Sequence, residues 1–225
     1  MMESRAWSEK LEKGKCVIIS GGVLEDEEFH RQILEGAEMV ICADGGARHA
    51  KRLGIRPDMV MGDLDTLREE EIREWQEKKV ELIKYPPAKD YTDTHLCLLK
   101  ALELGYRNIV MIACLGDRID HALANIFLLT IPQAREANVR ICGPREELFL
   151  VKEETTLSGE KGELLSLFPL TEGASGIVTK GLAYQVPEGK FAFGACNGIS
   201  NVFCEPEVKI AVGEGLLLAI RVRRE

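Results

Sequence analysis

The stretch MVICADGGARHAKRLGIRPDMVMGDLD, residues 39–65, decides the fold. Two short apolar runs, 39–43 and 59–62, flank a helical pattern over 46–53 that opens on a Gly-Gly turn, so the chain passes from strand to helix to strand. Working outward, further strand patterns fall at 16–20, 80–84, 108–114 and 139–142, with helical patterns between them at 25–34, 67–78, 92–104 and 121–137. That alternation predicts an α/β unit: an open, mostly parallel sheet with helices on both faces. The 92–104 pattern is the clearest, because Leu96, Leu99 and Leu102 recur beside Cys97 and Ala101, and Thr92 can cap its N-terminus. After Gly143 the pattern changes. Short runs at 148–151, 164–170, 176–179, 190–193 and 216–222 are separated by Gly, Pro, Ser and Thr, which predicts a C-terminal antiparallel β-sandwich. Domains are therefore expected at 1–144 and 145–225.

The 225 residues are 45% hydrophobic, enough for a buried core without staples. With 29 basic and 37 acidic side chains the net charge is −8, which disfavours nucleic acid and anionic membrane surfaces as partners. None of the seven cysteines stands in a Cys-x-x-Cys pair, and most lie in apolar runs, so they read as reduced core residues of a cytoplasmic protein. Residues 1–15 are charged throughout and lack the apolar stretch of a signal peptide. No apolar run approaches the roughly 20 residues that span a bilayer.

In open parallel sheets ligands bind beyond the carboxyl ends of the strands, and the polar motifs here fall at such ends. Asp44-Gly45-Gly46 follows the 39–43 strand, where paired glycines let the backbone approach a phosphate; alone, the motif is equally a strand-to-helix turn. Asp63 and Asp65 follow the next strand on one side of an extended segment. Two such charges about 4 Å apart repel by roughly 4 kcal/mol at an effective dielectric near 20, a cost that a divalent cation removes. The alternative is a solvated turn. Lys89, Asp90, Thr92 and Asp93 bracket a helix start, a mixture of signs suited to metal and phosphate together, although acids and caps are expected there in any case. Gly116-Asp117-Arg118-Ile119-Asp120-His121 adds an arginine able to grip phosphate, with Asp120 available to orient it. His30, His49 and His95 have no partner at metal-ligand spacing, and no Gly-x-x-x-x-Gly-Lys-Ser/Thr loop exists.

The motifs resemble those of two families, one in part and the other in whole. Asp63-Leu64-Asp65-Thr66 after an apolar strand resembles the motif of haloacid-dehalogenase-like phosphatases, with Asp63 as nucleophile and Asp65 as acid/base. That reading leaves the Asp44–Gly46 and Lys89–Asp93 clusters unused. All the clusters in order, continued by Asn125 and by Gly198-Ile199-Ser200-Asn201, are similar to thiamine pyrophosphokinases over nearly the whole chain. The resemblance implies transfer of the diphosphoryl group of ATP to the hydroxyl of thiamine, giving thiamine diphosphate and AMP, with Mg2+ required. It implies Asp63, Asp65 and Asp93 as metal ligands, with Lys89 and Arg118 joining them in catalysis. Asp44, Gly45, Gly46, Thr92, Arg118, Asp120, His121 and Asn125 would surround the nucleotide, and Ser200 and Asn201 the thiamine. It further implies a homodimer with sites at the subunit interface, the first domain carrying catalysis and the second thiamine binding and dimerisation. Gly116-Asp117-Arg118-Ile119 departs from the family's commoner Gly-Gly-Arg pattern, and the last domain has no tryptophan, so any stacking aromatic there is another residue, with Phe203 one candidate.

Overall fold

The computed structural model describes residues 14–116 and 118–223. The chain divides into two compact units, Met1–Pro144 and Arg145–Glu225. In the first, strands β1 (Lys15–Ile19), β2 (Met39–Ala43), β3 (Met59–Gly62), β4 (Glu81–Lys84), β5 (Asn108–Ile112) and β6 (Asn138–Cys142) alternate with helices α1 (Glu27–Leu34), α2 (Gly46–Leu53), α3 (Glu69–Glu77), α4 (Asp93–Glu103), α5 (Ile119–Leu128) and α6 (Pro132–Arg135). The strands run in the order β4-β3-β2-β1-β5-β6, every neighbouring pair parallel. Strand order reverses at β1, between β2 and β5, and that switch point opens a crevice beyond the strand ends.

Alternate side chains on each strand face opposite ways. Val17, Ile19, Cys42, Val60, Val110 and Ile112 join Phe29 and Ile33 of α1, Ala47 and Ala50 of α2 and Trp75 of α3 in one core. The other face is covered by α4, which lies against β1, β2 and β3 through buried Cys97, Leu98, Ala101 and Leu102. Local chemistry sets the helix ends. Asp26 caps α1, accepting from the Phe29 N–H at 3.0 Å, and the buried Lys15 ammonium closes its other end on the Ile33 and Glu35 carbonyls. Thr92 caps α4 by accepting from the His95 N–H, as its sequence predicts. The single helix expected over 121–137 is two, because Pro132 cannot continue α5 and instead starts α6 at its first turn.

The second unit places β7 (Glu146–Val151), β9 (Leu164–Pro169), β13 (Asn201–Val202) and β15 (Leu217–Val222) side by side as β13-β9-β15-β7, all antiparallel. A second sheet orders β11 (Val178–Lys180), β14 (Glu207–Ala211) and β8 (Glu154–Ser158) as β11-β14-β8, and β10 (Gly173–Ser175) pairs with β12 (Lys190–Ala192). Phe149, Leu165, Leu167, Leu217 and Ala219 from the first sheet meet Leu157, Val208 and Ile210 from the second in one core, as in a sandwich. Strands β8 and β14 carry too few apolar residues to stand out in the sequence; each presents a thin alternating inner face. Among the described residues no helix is long and apolar enough to cross a membrane. Every cysteine is free, with Cys16, Cys42, Cys97, Cys114 and Cys142 buried.

Candidate active site

Three strand ends on the crevice carry a non-glycine residue in the left-handed region: Asp44 after β2 (φ 39°), Leu64 after β3 (φ 61°) and Ala113 after β5 (φ 51°). Strain of this kind persists where the surrounding structure holds it, and it collects at functional sites. Here it turns the chain so that Asp44, Asp63 and the first residue of α4, Asp93, bring one carboxylate oxygen each within 4.8 Å of one another. Gly62 makes the approach possible. A Cβ there would stand 2.9 Å from the Asp44 Cβ and 3.0 Å from the Asp93 Cγ. Gly46 serves similarly, since a Cβ would collide with the Ile19 carbonyl and hold α2 away from β1.

Asp44 is only 7% exposed. Its Oδ2 accepts from the Thr66 hydroxyl, and its Oδ1 is buried with no hydrogen-bond partner. Burial pushes the Asp44 carboxyl above the usual range; the Thr66 hydrogen bond opposes this and the Asp93, Asp63 and Asp65 charges add to it. Lys89 answers part of that negative charge, with its Nζ 2.8 Å from Asp93 Oδ1 and 3.5 Å from Asp63 Oδ2. For Asp63, burial works upward, but the Asp65 N–H on its Oδ1 and the Lys89 ammonium outweigh it and the carboxyl lies low. Burial would lower the Lys89 ammonium; Asp93 and then Asp63 overcome this and raise it. An orphaned carboxylate oxygen facing two more carboxylates is a donor set of hard oxygens, which fits a hard divalent cation such as magnesium.

The other expected site residues are placed less uniformly. Asp65 is exposed and stands outside the trio, contributing its N–H to Asp63, whereas Asp44, expected near the nucleotide, is within it. Gly45 caps α2, and Thr92 is exposed at the start of α4. Arg118 and Asp120 form an exposed two-pronged pair, Nε to Oδ1 at 3.2 Å and Nη2 to Oδ2 at 2.6 Å, and the Arg118 hydrogen bonds hold the Asp120 carboxyl down at about 2. His121 is exposed on α5, and Asp117 lies outside the described residues. Asn125 is buried and spends its side-chain N–H on the Cys114 carbonyl at 2.7 Å, tying α5 to the loop after β5.

In the second unit Ser200 is exposed at φ 57°, its N–H donating to Ser166 Oγ. Asn201 locks Tyr184, accepting from its N–H at 3.0 Å and donating to its carbonyl at 2.7 Å. The expectation for Phe203 is corrected: its ring is wholly buried in the sandwich core under Arg221 and cannot stack on a ligand. Tyr184, 66% exposed, is an aromatic whose backbone is held by Asn201, the neighbour of Ser200 in the chain.

Sequence reasoning passed over two features. Thr66, which its motif gives no role, holds Asp44 through its hydroxyl, while Arg48 donates to the Thr66 carbonyl and pairs with Glu71. The loop Ser20-Gly21-Gly22 after β1 also escaped notice. Its Gly22 N–H donates to the Ala113 carbonyl at 2.8 Å, and the Ser20 hydroxyl meets that of Thr94 at 2.8 Å, so it joins the ends of β1 and β5 to α4. A glycine pair directly after a strand, the same signal as Gly45-Gly46, could have revealed it.

A doubly wound sheet with three converging carboxylates beyond its strand ends, coupled in sequence to a β-sandwich, is an α/β arrangement whose oxygen donors suit a divalent cation. The family follows from comparison with known proteins. The model described as thiamin pyrophosphokinase, catalytic domain, matches residues 30–142, and that of the thiamin pyrophosphokinase vitamin B1 binding domain matches residues 151–217. This chain belongs to the thiamin pyrophosphokinase family. Thiamine pyrophosphokinase 1 of Oryza sativa is 25% identical, covering 87% of this chain and 83% of its own length. Thiamine pyrophosphokinase of Bacillus subtilis is 28% identical, covering 80% and 86%. The crystal structure of the Bacillus subtilis protein has the same fold, with a TM-score of 0.82 at 24% identity over 94% of this chain and all of that one. The phosphatase reading of Asp63 is not supported: both family models place the chain elsewhere.

Proposed function

We infer that this protein is a thiamine pyrophosphokinase, transferring the diphosphoryl group of ATP to the hydroxyl of thiamine to give thiamine diphosphate and AMP. The observation that carries this reading is the carboxylate trio beyond the sheet of a chain matched in both units by the family's two domains. The 1–144 domain would hold nucleotide and metal, and the 145–225 domain thiamine. Asp44, Asp63 and Asp93 would hold Mg2+, with exposed Asp65 beside them as a further oxygen donor. Magnesium, when bound, neutralises triphosphate oxygens and the charge developing in transfer. The thiamine hydroxyl oxygen bonds to the β-phosphorus as the bond from that phosphorus to the α-phosphate oxygen breaks; the hydroxyl proton passes to a site carboxylate, Asp93 or Asp65, and AMP leaves. Lys89 and Arg118 supply positive charge to the transferred and leaving groups. Tyr184 and Ser200 offer a ring face and a hydroxyl to the aminopyrimidine.

A homodimer and a cytoplasmic location belong to the same reading. Ile119, Leu123 and Phe127 expose one apolar face of α5, a kind of surface that favours a protein partner, and Val178, Phe193 and Ile199 are further exposed apolar side chains in the second unit. Seven free cysteines suit a reducing compartment. The test is to supply ATP, magnesium and thiamine and quantify products by chromatography. Thiamine diphosphate and AMP in equal amounts are expected; inorganic phosphate released equally well without thiamine would overturn the reading.

A further inference from the structure

We propose that Lys89 is a built-in counter-ion that competes with the divalent cation for Asp63 and Asp93, so that metal binds productively with the nucleotide rather than before it. This rests on the diphosphokinase reading of the site and concerns the order in which it fills. The Lys89 ammonium contacts two of the three carboxylates that form the only such cluster among the described residues. Its side chain is 13% exposed, so solvent screens the pair weakly. The segment that carries it is anchored at both ends, by the Tyr85 N–H on the Gly62 carbonyl at 2.8 Å and by the Thr92 cap of α4.

A cation drawing on Asp63 and Asp93 must share them with this ammonium, and the two positive charges repel. An arriving triphosphate would remove the conflict, because its oxygens would give Lys89 a new anionic partner and offset the cation's charge. Lys89 would thus oppose metal binding alone and favour the metal with its nucleotide. Removing the side chain should move the two affinities in opposite directions, a result that a plain phosphate-binding lysine does not give.

The probe is Mn2+, titrated by electron paramagnetic resonance into wild type, Lys89→Met and Lys89→Arg without nucleotide, and again with α,β-methylene-ATP. Without nucleotide, Lys89→Met should bind Mn2+ roughly tenfold tighter than wild type, the scale set by a unit charge and a divalent ion roughly 5 Å apart even at the dielectric of water. Lys89→Arg should match wild type. With the analogue, Lys89→Met should bind Mn2+ less tightly than wild type. Equal or weaker nucleotide-free binding by Lys89→Met overturns the proposal, and Lys89→Gln replaces it should that variant not fold. Thiamine diphosphate formation by wild type is assayed separately, so failure of the functional reading is distinct from failure of the competition.

Discussion

Asp44→Asn is expected to make the metal-free protein more stable while abolishing its activity. The three carboxylate oxygens lie within 4.8 Å, so each pair of charges repels by at least about 3.5 kcal/mol at an effective dielectric near 20. Lys89 is paired with Asp93 and Asp63 and offsets one of the two negative neighbours of Asp44, leaving about one such repulsion. Asparagine still accepts from Thr66, but a neutral acceptor gives up roughly 1 kcal/mol of that hydrogen bond. The net gain is about 2 kcal/mol, a rise in Tm of roughly 4–8 °C for a chain of this length. The sign with pH follows from linkage. Asp44 has a raised pKa in the folded protein, so the native state holds its proton more tightly than the unfolded chain and wild-type stability falls as pH rises through the folded value. The gap between the variants should be widest at neutral pH and close as pH drops toward the unfolded value, roughly 4. Calorimetry in EDTA across this range is the assay. A variant less stable than wild type at neutral pH, or a gap that does not close in acid, would refute the reasoning.

Gly62→Ala forces a Cβ between Asp44 and Asp93 and should destabilise the protein by roughly 1–3 kcal/mol and cut turnover. Gly54→Ala, a left-handed position with open space around it, should cost about 1 kcal/mol in denaturant titration and spare turnover. Tyr184→Ala should raise the KM for thiamine roughly tenfold, the worth of about 1.4 kcal/mol of stacking, with the KM for ATP unchanged. Arg118→Ala removes the guanidinium from Asp120, whose carboxyl should then titrate near the ordinary value of roughly 3.9 rather than at about 2, read by carbon NMR.

The sheet of the first unit was legible because its central strands are short, almost wholly apolar runs; residues 39–43 and 59–62 are strands in the structure as they are in the sequence pattern. The sandwich was legible only in outline, since β8 and β14 bury one thin face each. The single helix expected over 121–137 breaks at a signal the sequence does carry, Pro132, which a helix tolerates only at its start. In the site, motif order pointed to the carboxylates, but which of them converge depends on β2, β3 and α4 lying side by side. Spacing in sequence favours Asp63 with Asp65, whereas folding sets Asp63 against Asp44, nineteen residues earlier, and Asp93. Thr66 and Asn201 stand in the motifs, but that they act by holding others, Thr66 on Asp44 and Asn201 on Tyr184, depends on partners far off in the chain that a pattern of residue types does not name.

The most direct measurement follows ATP labelled at the β-phosphorus through the reaction with magnesium and thiamine, in wild type and in Asp63→Asn. Label should pass into thiamine diphosphate in wild type, with one AMP per product. Asp63→Asn, folded by circular dichroism, should transfer none. Label remaining in ADP, or transfer by Asp63→Asn at the wild-type rate, would contradict diphosphoryl transfer at this carboxylate site.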